Sequence, residues 1–153
     1  MADEKNNPKI EDEMNSKLSG ETLKNALDFV IYLKANGMTT HETYSNAFTY
    51  HDKWICVLII DQDGWTIYDN PLTKHYDDFP VDEHLKEFAW SHVHICTTGH
   101  CDSSPGSRKT IFGKAFDNVC TSEVAFRNPD AEILEKVMQL IEIWKQDVDG
   151  MRV

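Results

Sequence analysis

Leu23, Ala26, Leu27, Val30 and Leu33 recur at helical spacing and make one apolar face. Ser19 is a suitable N-cap, Glu21 suits the first turn, and Gly37 is a suitable stop just past Asn36. The pattern then changes period. Thr40 to Tyr50 alternates loosely and is rich in Thr and Tyr, which suits a strand. After a His51-Asp52 turn, Trp54 to Ile60 is apolar at consecutive positions, as in a strand buried on both faces. Asp61-Gln62-Asp63-Gly64 is a turn signal, and Trp65 to Tyr68 is its hairpin partner. Residues 71–80 form a proline-bounded loop, followed by a short helix over Val81 to Phe88. Trp90 to Cys96 reads as a strand with Trp90, His92, His94 and Cys96 on one face. A long loop follows, then a last strand from Val119 to Phe126. Asn128-Pro129-Asp130 reads as a helix start, with Asn128 as N-cap, and Ile133, Leu134, Val137, Met138, Ile141 and Trp144 form a wide apolar stripe. Residues from Asp147 onward are expected to fray.

These elements predict an α+β fold: an antiparallel sheet of about five strands, covered on one face by an N-terminal and a C-terminal helix. Residues 1–18 show no periodic apolar face and read as a disordered polar arm. Residues 19–149 then form a single domain containing a Cys/His-rich loop over 92–120. A chain of 153 residues suits one core.

A net charge of -11 disfavours nucleic acid and anionic membrane surfaces, both of which need basic patches. The N-terminus lacks the apolar run of a secretory signal, and the longest apolar run, Ile55 to Ile60, is too short to span a bilayer. A cytoplasmic location is expected. In that reducing compartment, clustered cysteines are more often metal ligands or redox groups than structural disulfides.

The chemistry gathers between Trp90 and Cys120, which holds three of the four cysteines and three of the seven histidines. Cys96 ends one strand, Cys101 lies five residues on, and Cys120 opens the next strand. Antiparallel pairing of those strands would bring Cys120 near Cys96. Zinc takes four ligands, and thiolate and imidazole are its usual ones. The fourth is His94, on the same strand face as Cys96, or His100, in the same loop. Three Cys and one His would close the shell, which is the structural pattern. Inert buried thiols are the competing reading, as is a redox pair of Cys96 and Cys101 resolved by Cys120. Cys56, within the apolar strand, reads as core. The His-x-Glu and Pro-Cys-x-x-Cys elements of zinc deaminases are absent.

Other segments carry weaker signals. Ser103 to Thr110 has glycine, hydroxyls and cations, but not the spacing of a Walker A loop. Trp54, Trp65, Trp90 and Tyr68 could line an aromatic pocket for a cationic small molecule. No nucleophile elbow or ordered triad stands out.

The ordered set Cys96, Cys101, Ser104-Pro105-Gly106, Ile111-Phe112-Gly113-Lys114, Phe116, Val119-Cys120 and Asn128-Pro129-Asp130 resembles a group of small uncharacterised bacterial proteins. The resemblance covers roughly the C-terminal half and implies no function. The order of elements in the N-terminal half resembles that of small families with a YdhG-like α+β fold. The residues favour a zinc-anchored binding or regulatory module over an enzyme. The alternatives are a metal-assisted hydrolase or a thiol redox enzyme using Cys101 beside His100, and an aromatic-pocket binder of a small cation.

Overall fold

The structure, a computed structural model, describes residues 9–69, 81–95 and 106–151. Four helices and an antiparallel sheet make an α+β fold. In chain order they are α1 (Ile10–Lys17), α2 (Gly20–Ala35), β1 (Thr39–Thr40), β2 (Ala47–Tyr50), β3 (Lys53–Asp61), β4 (Gly64–Asp69), α3 (Glu83–Trp90), β5 (Val93–Ile95), β6 (Ser107–Ile111), β7 (Lys114–Arg127) and α4 (Ala131–Met151). The sheet runs β1-β2-β3-β4-β7-β5, and β6 also pairs with β7. Seven strands thus appear among the described residues, where the sequence pattern predicts about five.

The two additional strands have local causes. Thr39–Thr40 is split from β2 by a turn in which His41 Nδ1 accepts the Thr43 and Tyr44 N–H groups at 3.0 and 3.3 Å. The second addition is the β6–β7 hairpin. Ile111 pairs with Lys114 across Phe112 (φ 48°) and Gly113 (φ 85°), the left-handed pair that a two-residue hairpin turn needs. The same signature recurs at His51 (φ 51°) and Asp52 (φ 67°) between β2 and β3.

Strand parity fixes the core. Cys56 pairs with Asp69, Leu58 with Ile67, Ile60 with Trp65, and Ile67 with Phe126, so these residues share one face. The helices cover that face. Phe29 of α2 lies 5.8 Å from Trp65, and Phe88 of α3 stacks on Phe126 at 5.4 Å. Leu140 and Trp144 of α4 line a small cavity together with Asp69 and Val124. The helices also meet each other, since Tyr32 Oη donates to Glu142 at 2.7 Å. The opposite face carries Val57, Thr66, Tyr68 and Ile59, the last 41% exposed.

Three expectations need correction at the helices. Residues 10–17, expected within a disordered arm, form α1. Ile10 and Met14, one turn apart, are buried, and Leu18 extends the row. Ion pairs of Lys34 with Glu11 at 2.7 Å and of Lys17 with Glu13 at 3.3 Å flank it. The last helix is capped by Asp130, whose Oδ1 accepts the Ile133 N–H at 2.9 Å, and not by Asn128. It runs on to Met151 without fraying because Asp147 and Val148 are buried.

Asn128 instead locks the β3–β4 hairpin to the end of β7. At φ 44°, its Oδ1 accepts the Trp65 N–H at 2.9 Å, and its own N–H donates to the Trp65 carbonyl at 2.8 Å. Gly64, at φ 149°, lies directly against this amide, and a Cβ at that position would overlap it. Gly64→Ala is therefore expected to destabilise the fold by roughly 2–4 kcal/mol. Urea denaturation measures this, and a loss below about 0.5 kcal/mol would show that the Asn128 lock is dispensable.

Candidate functional site

The Cys/His cluster is only partly within view. Cys96, His100 and Cys101 lie outside the described residues. His94 and Cys120 are described, and they fall on paired strands. Val93 of β5 pairs with Val124 of β7, and Ile95 pairs with Val119. Two steps along β5 therefore match five along β7, so β7 bulges between Val119 and Val124. Cys120, 9% exposed, begins that bulge, one position from the partner of Ile95. His94 lies between the two paired β5 residues. Its ring lies 5.3 Å from that of Tyr68, and its Nδ1 is buried with no hydrogen-bond partner among the described residues. No group of three or more His, Cys, Asp or Glu side chains poised to hold a metal occurs among the described residues.

The other cysteine and histidine nearby are structural. Cys56 is fully buried on the helix-facing side, as expected from the apolar strand. Burial, and secondarily the Asp69 carboxyl, pushes its thiol pKa well above the ordinary range. His92 packs against both Phe88 and Phe126, at 4.6 and 4.9 Å, with its Nδ1 2.8 Å from the Phe88 carbonyl.

The four aromatics expected around a pocket are dispersed. Trp65 is fully buried against Phe29 on the helix side, whereas Tyr68 faces the other way and meets His94. Trp90 ends α3 rather than starting a strand, because its apolar neighbours Leu85 and Ala89 continue the buried side of that helix. Its Nε1 donates to the Ile111 carbonyl at 2.7 Å, and Lys114 Nζ lies 5.2 Å from its ring centroid. The cation over Trp90 is thus supplied by the chain itself. Trp54 packs edge-on with His41 and Tyr44 at 5.2 and 5.8 Å, and His41 and Tyr44 lie 5.4 Å from each other.

A buried polar cluster that the sequence reading missed lies beside the bulge. Asp69, at the end of β4, is 3% exposed, and its Oδ1 accepts the Val124 N–H at 3.0 Å. The Glu123 N–H also donates to this carboxyl. Lys109 of β6 reaches the same stretch of β7: its Nζ donates to the Cys120 carbonyl at 3.2 Å and lies 3.9 Å from the buried Glu123 carboxylate. Burial raises the Asp69 pKa to about 7, against the lowering effect of the two N–H donors and of Lys109. A cavity of about 10 Å³, room for about one water, opens beside Asp69 between Ala89, Ile111, Phe112, Leu140 and Trp144. The signal was strand parity: in Trp65-Thr66-Ile67-Tyr68-Asp69 the acid falls on the same side as the two buried apolar residues.

No family model matches the chain, and no curated protein or solved structure is significantly similar to it. No helix among the described residues is long and apolar enough to cross a membrane.

Proposed function

We propose that this protein is a non-enzymatic binding or regulatory module of the cytoplasm, with the segment around β5 and β7 anchored by one zinc ion. Cys96, Cys101 and Cys120 would supply thiolates, and His94 or His100 the imidazole. The observation that carries the reading is the buried Nδ1 of His94, which has no partner among the described residues, two residues before Cys96 and on the strand paired with that of Cys120. A buried ring nitrogen without a partner is costly, and a metal ion would satisfy it. Four protein ligands leave no open position for water, so the metal would brace the loop and would not activate a nucleophile. Deprotonated thiolates would also lessen the charge cost of holding a dication.

Elemental analysis of protein purified without added metal is expected to give about one zinc per chain, with a marked fall in melting temperature on chelation. Cys120→Ser should lower the bound zinc severalfold, and His94→Ala should do so only if His94, rather than His100, is the fourth ligand. X-ray absorption should place sulfur at about 2.3 Å from the metal and nitrogen at about 2.0 Å. Metal-free protein whose melting temperature is unchanged by chelator would remove the proposal.

A further inference from the structure

His41 caps the turn between β1 and β2. Its Nδ1 accepts two backbone N–H groups, those of Thr43 at 3.0 Å and Tyr44 at 3.3 Å. An acceptor Nδ1 carries no hydrogen, so the turn requires the neutral ring with its proton on Nε2. Both ends of the turn are anchored. The His41 N–H donates to the Ala47 carbonyl at 2.8 Å. At the other end Asn46 Nδ2 donates to the Leu58 carbonyl at 3.1 Å, and the Leu58 N–H donates back to the Asn46 carbonyl at 2.8 Å. Between these anchors lie Glu42, Thr43, Tyr44 and Ser45. Tyr44 is 54% exposed, and its ring lies 5.4 Å from that of His41 and 5.8 Å from that of Trp54.

We propose that residues 42–45 form a proton-operated flap beside Trp54, held shut by neutral His41 and released when that ring is protonated. An imidazolium carries a hydrogen on both nitrogens and accepts at neither. Protonation therefore sets Nδ1, as a donor, against two backbone donors, and both bonds of the turn are lost. Histidine ordinarily changes charge between about pH 5 and about pH 8, which makes mild acid the signal. The anchors at Ala47 and Leu58 do not titrate, so the ladders on either side of β2 stay paired while the flap opens. Tyr44 can then leave Trp54 and uncover its ring. Packed against the imidazole are Tyr44 from the turn itself and Trp54 from β3, the latter at 5.2 Å. β1 contributes only Thr39 and Thr40, and β2 presents Ala47 and Phe48 next to the turn, none of them charged. Of the charged residues, Glu42 adjoins His41 in the chain and Lys53 adjoins Trp54 on β3. Glu42 favours the imidazolium, and Lys53 favours the neutral ring.

Amide exchange measured by NMR on the full chain, corrected for intrinsic rates, tests the flap. From about pH 7.5 to about pH 5.5 the Thr43 and Tyr44 amides should lose at least about tenfold in protection relative to the Leu58 amide. His41→Asn keeps an acceptor oxygen close to the place of Nδ1 and does not titrate, so both amides should stay protected throughout. The same acid loss in His41→Asn would assign the response to Glu42 or another group and overturn the proposal. The wild-type ring supplies a second reading that needs no variant. Its ¹⁵N shifts should show Nδ1 without a hydrogen at neutral pH and gaining one in acid, in step with the amide change. A neutral ring with its hydrogen on Nδ1, or protonation that leaves the two amides unmoved, would overturn the flap by itself.

Discussion

Truncation of Trp65 to alanine is expected to remove about 4 kcal/mol of folding free energy, the scale of a large aromatic deleted from a packed core. Trp65 is fully buried, pairs with Ile60 across the β3–β4 ladder, and meets Phe29 of α2. Its loss would leave a void between the sheet and the N-terminal helix that neither rigid element can close. A domain of this size is typically stable by only about 5–15 kcal/mol, so the variant should be near the limit of folding. Trp65→Phe should be far milder, at about 1–2 kcal/mol. It retains one ring and removes an indole N–H that is buried without a partner among the described residues. Both variants retain the backbone bonds between residue 65 and Asn128, so the difference between them isolates side-chain packing. Urea unfolding at one temperature measures all three proteins. Equal losses in the two variants would show that the indole's volume does not support the core.

The second large effect is a dependence of stability on pH through Asp69. Its pKa in the folded protein is about 7, against an ordinary value of 3.8. Between those values the folded state binds the proton more tightly than the unfolded state does. The favourable contribution is therefore fully present below about pH 4, declines as pH rises, and is gone above about pH 7. Three pH units correspond to about 4 kcal/mol. Asp69→Asn cannot titrate, so the stability of the variant relative to wild type should shift in its favour by a few kcal/mol from about pH 4 to about pH 7. Using the difference cancels groups of opposite sign. Asp61 is one of these: its hydrogen bonds from Arg127, at 2.8 and 3.0 Å, hold its pKa at about 2, and its contribution disappears as the medium becomes acidic. Denaturant melts of both proteins over this range decide the matter, and parallel curves would show that burial of Asp69 has no energetic consequence.

Elements whose signals are local were legible in the chain. The spacing of Leu23, Ala26, Val30 and Leu33 implies α2 regardless of what it packs on, because helical period is a property of one segment. The β3–β4 hairpin was readable from an apolar run, a turn with glycine, and a second run. Cys56 was readable as core for the same reason. The β6–β7 hairpin was not, because Ser107, Arg108, Lys109 and Thr110 look like a surface loop. They become a strand only because β7 offers them a partner. Asn128 has the residue type of a helix cap, yet it serves the hairpin beside it in space, 63 residues earlier in sequence.

The candidate site divides along the same line. The sequence by itself determined which ligand types are available, a dense set of thiols and imidazoles between His94 and Cys120, and the two periodicities that make an α+β sandwich of sheet and helices. Only the tertiary structure decided that β4 and β6 meet β7 end to end. There Asp69 accepts the Val124 N–H and Lys109 donates to the Cys120 carbonyl. Strand pairing joins residues far apart in the chain, and no local pattern encodes which side chain will reach the backbone of a strand it meets only in space.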